Sequence, residues 1–222
     1  MFVPKNEHEK TKRPVLHPAA MMFLEQGYND STMREISKRS GIKYGSMRMF
    51  YPTKEDILCD LVNFVIEGQF SATERVLKGV EYDKILFYAA ETTLQLHIAE
   101  SSEHIRELYN VCYSLPNSSD IIFHKITGKL EDIFREHLPN WETKDFFEKE
   151  IASGGIMRNF MSVPCDMYFT MDRKIRAFHE STFLVYEVPH EKIEEAIAFV
   201  SRYDWESIAK EVIDDMLSYL SD

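Results

Sequence analysis

From residue 205 onward, Trp205, Ile208, Ala209, Val212, Ile213, Met216, Leu217 and Leu220 recur at intervals of three and four. Only an α-helix gathers that spacing into one stripe, and Asp204 stands where such a helix needs a cap. Ile122, Ile126, Leu130, Ile133 and Phe134 repeat the pattern behind Asn117-Ser118-Ser119, which reads as a capping cluster. The period-two alternation of a half-buried strand is nearly absent, so the spacing predicts an all-α chain. Pro116, Pro139, Pro164 and Pro189 fall 23, 25 and 25 residues apart, each placed to stop one helix or start another. Less their loops, such segments give helices of about 20 residues and about 30 Å. Short connections between them make antiparallel neighbours. The segments do not resemble one another, so the expected architecture is a bundle of seven or eight helices from about Thr53 onward, and not a repeat array.

A 222-residue chain that is 44% hydrophobic can fill the core such a bundle needs. No apolar run approaches the roughly 18 residues of a membrane helix. Met1 to Arg13 is polar and charged, unlike a signal peptide. Cys59, Cys112 and Cys165 are widely separated and odd in number, which argues against a disulfide framework or a cysteine zinc site. These features point to a cytoplasmic protein. The formal charge of −11 is unevenly spread. Residues 1–54, Lys5 and Lys10 included, carry a net +5 and the remainder −16. A basic head on an acidic body suggests that the head alone approaches a polyanion.

The head has its own punctuation. Ala19, Ala20, Met22 and Phe23 form a short apolar face ending at Gly27, a natural helix stop. Thr32 opens a second helix, and Glu35 three residues on completes a capping box. Ile36 and Ser40 are expected to point inward. Gly41 supplies the backbone freedom of a tight turn, with Ile42 buried in it. A third helix follows from about Lys43 to Met49, with Met47 facing the core. Two short helices about a glycine turn make a helix-turn-helix, whose second helix can enter the DNA major groove. Lys43, Tyr44, Ser46 and Arg48 would occupy the start and outer face of that helix, and Arg48 suits a bidentate contact with guanine. Gly45 would let the backbone come close. Thr32, Arg34 and Lys54 fall where helix starts could hold phosphates.

This stretch resembles the N-terminal DNA-binding segment of TetR-family transcriptional regulators. The features that carry the resemblance are Ala20-Met21-Met22-Phe23, Gly27-Tyr28, Ser31-Thr32, Ile36-Ser37, Ser40-Gly41-Ile42, Gly45-Ser46-Met47-Arg48 and Tyr51-Pro52-Thr53-Lys54-Glu55. The resemblance implies a three-helix helix-turn-helix head over residues 1–54. A helical ligand-binding and dimerisation domain would occupy 55–222. It implies a homodimer on a double-stranded palindromic operator, most often a repressor released by a small-molecule effector. Three residues depart from the family pattern. Arg48 replaces the usual tyrosine and Phe50 an often polar residue, while Lys43 replaces a serine or threonine cap. Pro18 falls inside the expected first helix, which should begin there or kink.

In the body, phenylalanine (15), tyrosine (11) and methionine (11) are abundant, and Met/aromatic cavities suit apolar ligands. Polar groups on otherwise apolar stretches are the candidate effector contacts: Tyr88, Thr92, Gln95, His97, Tyr109, Tyr113, Asn159 and His179. His97, Glu100 and His104 have the spacing of ligands on one helix face, but Ser101-Ser102 with Glu103 should cap a new helix and break that alignment. No metal site, cofactor or catalytic residue is therefore assigned, and no enzyme motif stands in a convincing context. The runs Glu148–Glu150, Glu191–Glu195 and Asp214-Asp215 read as solvated faces. The apolar stripe of the last helix is the expected dimer surface. The leading reading is a ligand-responsive, DNA-binding regulator without membrane attachment. The alternative is a small-molecule-binding protein of the same fold that has lost operator recognition.

Overall fold

A computed structural model describes residues 7–221, with side chains from residue 12 onward; Lys5 and Lys10 of the basic head lie outside these. Eleven helices and no strand are found among the described residues: α1 (Glu7–Gln26), α2 (Met33–Ser40), α3 (Tyr44–Phe50), α4 (Lys54–Val76), α5 (Lys84–Glu100), α6 (Glu103–Cys112), α7 (Pro116–Phe134), α8 (Thr143–Ser162), α9 (Met171–Val185), α10 (His190–Val200) and α11 (Trp205–Ser221). Eight of them start at Lys54 or later, in line with the proline spacing. Pro116 takes the first turn of α7, Pro189 caps α10, and Pro164 follows the C-cap of α8. These are positions where a missing N–H costs nothing.

The first helix departs from expectation. It runs through both Pro14 and Pro18 and begins well before Pro18. Pro18 cannot donate to the carbonyl of Pro14, but Pro14 is exposed, so water can take that acceptor. Val15, Leu16, Ala19, Ala20 and Phe23 are buried along the other side and hold the helix to the core. A second departure concerns α7. Asn117 and Ser118 do not cap it with their side chains; their N–H groups donate to Glu55 Oε1 of α4 at 2.8 and 3.4 Å. Ser102 does cap α6, accepting from Ile105 N at 3.1 Å, so α5 and α6 are separate and His97 and His104 lie on different helices.

Helix α5 is the centre of the bundle. It contacts α4, α6, α7, α8, α9, α10 and α11. Towards its N-terminal end the core is aromatic: Phe134 stacks on Tyr186 at 4.4 Å between centroids, and Tyr88 meets Phe134 edge-on at 5.2 Å and Phe183 at 5.4 Å. Helix α11 lies against α5, α1 and α4. Its apolar stripe is therefore consumed inside the chain and is not a free dimer surface. The acidic run at 148–150 also divides: Glu148 is exposed, whereas Glu150 is 3% exposed on the inner side of α8.

One buried cation ties the α8–α9 connection down. Lys174 is 1% exposed, and its ammonium donates to Glu100 Oε2 at 2.6 Å and to the Val163 carbonyl. Glu100 also accepts from Cys165 N at 2.9 Å and pairs with Arg106 at 3.4 Å. Lys174 lowers the Glu100 pKa even though burial opposes it. Removing Glu100 leaves the ammonium buried and short of a counter-charge, so Glu100→Ala should destabilise the fold by about 3 kcal/mol. Lys174→Met, which removes the charge and keeps the bulk, should cost less. Urea denaturation of the two variants checks the ranking.

Candidate DNA-contact face and internal cavity

Local rules build the head. Thr32 and Glu35 cap α2 reciprocally: Glu35 N donates to Thr32 Oγ1 at 3.3 Å, and Thr32 N to Glu35 Oε2 at 3.1 Å. Gly41 ends the helix with φ +71°, which a side chain would strain. Ser37 Oγ donates to the Ile42 carbonyl at 2.6 Å and fixes the turn. Ile36 and Met47 are fully buried beneath it, while Ile42 and Ser40 are only half-buried. Arg39 clasps Glu25 with two contacts, of 2.5 and 2.7 Å, and so binds α2 to α1.

The expected DNA-contact residues divide into two groups. Lys43, Tyr44, Gly45, Ser46 and Arg48 are all exposed on or beside α3, and Arg34 is exposed with its guanidinium 5.7 Å from the Tyr44 ring. Lys43 makes no side-chain cap bond. Thr32 is exposed, but its hydroxyl serves the capping box. Lys54 is turned inward. Its ammonium donates to the carbonyls of Tyr28 and Ser31, the latter at 2.7 Å, and sits over the Tyr28 ring. Burial lowers its pKa. Lys54 is thus an internal strut that holds the α1–α2 connection to α4, in place of the free phosphate contact expected from sequence.

A cavity of about 140 Å³ lies where head and body meet. Its wall is shared by α1 (Ala20, Leu24), α4, α5, α6, α7 and α11, and among the described residues no lysine, arginine or histidine lines it. Of the expected effector contacts, Gln95, Tyr109 and Tyr113 line this cavity. Gln69, which sequence reasoning passed over, lines it too and donates to the Tyr109 hydroxyl. Its signal was a lone amide on the apolar face of α4. Tyr88, Thr92 and His179 lie elsewhere in the core, with Thr92 Oγ1 3.1 Å from His179 Nε2. Gln95 and Tyr88 share a face of α5, but seven residues of rise separate them by about 10 Å. His97 is half-buried at the end of α5, and Asn159 is exposed on α8.

Two buried carboxyls stand behind the cavity wall. Gln95 Nε2 donates to Glu91 at 2.7 and 2.8 Å. Ser153 Oγ donates to Glu150 Oε2 at 2.9 Å and contacts the Tyr186 hydroxyl at 2.7 Å. Burial raises Glu91 to about 7 and Glu150 to about 8, while burial depresses His179 to about 3. The carboxyls bind protons more tightly in the folded chain, so their contribution is complete below the ordinary carboxylate range and is lost as pH rises through 7 and 8. His179 acts oppositely: its contribution is present above the usual histidine pKa and is lost as pH falls towards 3. From about pH 6.5 upward only the carboxyl slope remains. Thermal stability should therefore fall between pH 6.5 and about 8. The double variant Glu91→Gln/Glu150→Gln should flatten that fall, as melting curves across the range would show.

Residues 15–61 match the family described as bacterial regulatory proteins, tetR family. Over 97 residues the chain is 22% identical to the uncharacterized HTH-type transcriptional regulator YuxN of Bacillus subtilis, covering 44% of this chain and 33% of that protein. Over 79 residues it is 29% identical to the HTH-type transcriptional repressor BepR of Brucella suis, covering 36% of each. The matches thus span about a third of these relatives' length. The crystal structure of RolR in complex with resorcinol superposes with a TM-score of 0.65 at 15% identity, covering 89% of this chain and 96% of that one. That likeness is one of fold. Residues 15–61 thus carry the helix-turn-helix segment of the tetR family of bacterial regulatory proteins, and the chain as a whole shares the fold of RolR.

Proposed function

We propose that the chain is a cytoplasmic, ligand-responsive transcriptional repressor that binds a palindromic operator as a homodimer. Residues 1–54 are its DNA-binding unit and 55–222 its effector and dimerisation unit. One observation carries this reading: the cavity wall is made partly of the head itself. Ala20 and Leu24 of α1 line it, as do Ile105, Leu108 and Tyr109 of α6. On the same α6, Glu107 Oε1 accepts from Asn29 N at 3.1 Å and Asn29 Nδ2 at 2.6 Å, and its other oxygen lies against Gly27. A molecule that displaces α6 must therefore disturb the connection on which α2 and α3 hang. It shifts the DNA-binding equilibrium only by the difference in its affinity for the two arrangements.

The effector chemistry follows from the wall. With no lysine, arginine or histidine lining it among the described residues, the cavity offers an anion no counter-charge there. Its volume is about that of an engineered cavity that admits benzene. The ligand is a small, uncharged, largely apolar molecule, with one or two polar groups for Gln69, Gln95, Tyr109 or Tyr113.

For the dimer, the α8–α9 face replaces α11. Ile151 and Leu184 are exposed there, and Ala152 and Gly155 leave the α8 surface low enough for a second helix to approach. An obligate interface of this kind buries about 2,000 Å² or more.

Two experiments test the proposal. In gel shifts with DNA flanking its own gene, the full chain should give a complex that scrambled DNA does not compete, released by an apolar ligand found by thermal-shift screening. Glu107→Ala should keep ligand binding while blunting release. Failure to form a sequence-specific complex at any salt concentration would instead favour the binding-only protein, a reading that the inward turn of Lys54 encourages. In sedimentation, the particle should have twice the 26.1 kDa chain mass. Leu184→Glu should convert it to the single-chain mass, and a monomeric wild type would sink the dimer.

A further inference from the structure

We infer that Met49 reads the C5-methyl group of a thymine in the operator, so that the chain's recognition helix selects an A·T pair through an apolar contact as well as hydrogen bonds. The inference rests on the DNA-binding reading above and adds the chemistry of one base.

The geometry of α3 singles Met49 out. Met47 is fully buried and defines the inward direction of this seven-residue helix. At about 100° per residue, Gly45 and Met49 point opposite to it, one turn apart, while Ser46 and Arg48 flank them. The outermost side chain of the helix is therefore Met49 and not Arg48. It is 84% exposed, more than any other large hydrophobic residue described. Gly45 carries no side chain, and a Cβ built there would meet nothing within 4 Å. The outer stripe is thus flat for its first turn and ends in a single long, flexible, apolar projection.

An exposed methionine at this place has little to gain from water or phosphate. A thioether is at best a weak acceptor and donates nothing. In the major groove, the donor and acceptor pattern of the base edges offers one apolar group, the thymine methyl. Arg48 and Ser46, on either side, retain the polar contacts that can set register and read neighbouring positions. The unbranched side chain of methionine can settle against a methyl whose exact place varies with groove width.

The test uses the full chain and its own preferred duplex, isolated by selection from a randomised pool. Each thymine is then replaced in turn, symmetrically in both half-sites, by deoxyuridine, which removes the methyl and leaves the pairing edge intact. At one position the replacement should weaken binding about fourfold per half-site, the worth of one buried carbon. Met49→Ala should weaken binding to the thymine duplex and erase the difference between thymine and uracil at that position only. Because the side chain is so exposed, the variant should melt with the wild type. Met49→Leu should retain most of the discrimination. The inference is overturned if no thymine-to-uracil change alters wild-type affinity, or if Met49→Ala and wild type lose equally on the change. Selection that yields no preferred duplex at all would overturn the operator reading together with it, and so is distinguishable from failure at Met49 alone.

Discussion

A helix with almost no solvent face dictates the rest of this structure. Of the seventeen residues of α5, twelve are buried, and seven other helices touch it. Burying so much of one helix removes apolar surface from water on every side, at roughly 25 cal/mol per Å². It also traps polar groups that must then find partners. Thr92 donates to the Tyr88 carbonyl at 2.8 Å, and Gln95 to Glu91. Burial raises the Glu91 pKa to about 7. The aromatic cluster at one end of α5 and the cavity at the other follow from what its neighbours can fill.

That division of α5 gives the molecule an aromatic end and a cavity end. Around Tyr88, four aromatic rings interlock. Around Gln95 and Ile98, aliphatic and aromatic side chains from six helices leave the cavity between them. The cavity end is also where α1 and α6 meet, so the cavity adjoins the helices that support the head. Lys54 and Glu55 reinforce the same junction from α4, the first through carbonyls of the α1–α2 connection and the second through the start of α7. Consecutive residues thus fasten α4 to the head on one side and to the body on the other. The positive charge of the head is reduced accordingly: the lysine that closes the motif is an internal bond, and Arg39 is paired with Glu25. Among the described residues, exposed Arg34, Lys38, Lys43 and Arg48 remain for a polyanion.

Local features were legible in the chain itself. The capping box of Thr32 and Glu35, the left-handed Gly41, the buried Met47, the Ser102 cap and the helix starts at Pro116 and Pro189 all depend on residues within one or two turns. Periodicity likewise identified the bundle and the number of its helices. It could show that α11 has an apolar stripe, but not whether that stripe would meet a partner chain or α5. A stripe records only that water is excluded, not by what.

The same limit explains the other departures. Glu148 and Glu150 are two residues apart on α8, and only the packing of α7 and α9 decides that one is solvated and the other buried. Tyr88, Gln95 and His179 look alike as polar residues in apolar runs, yet position along α5 separates the first two and burial in α9 removes the third from the cavity. The α1 helix survives two prolines because its opposite side is anchored, which local propensity does not know. Sequence by itself determined most of the helices, the caps of α2 and α6 and the helix-turn-helix, because those are set by hydrogen bonds and spacings within a few residues. Tertiary structure decided which faces meet, where the cavity opens and which charges stay free, because each of these depends on surfaces supplied by segments distant in the chain.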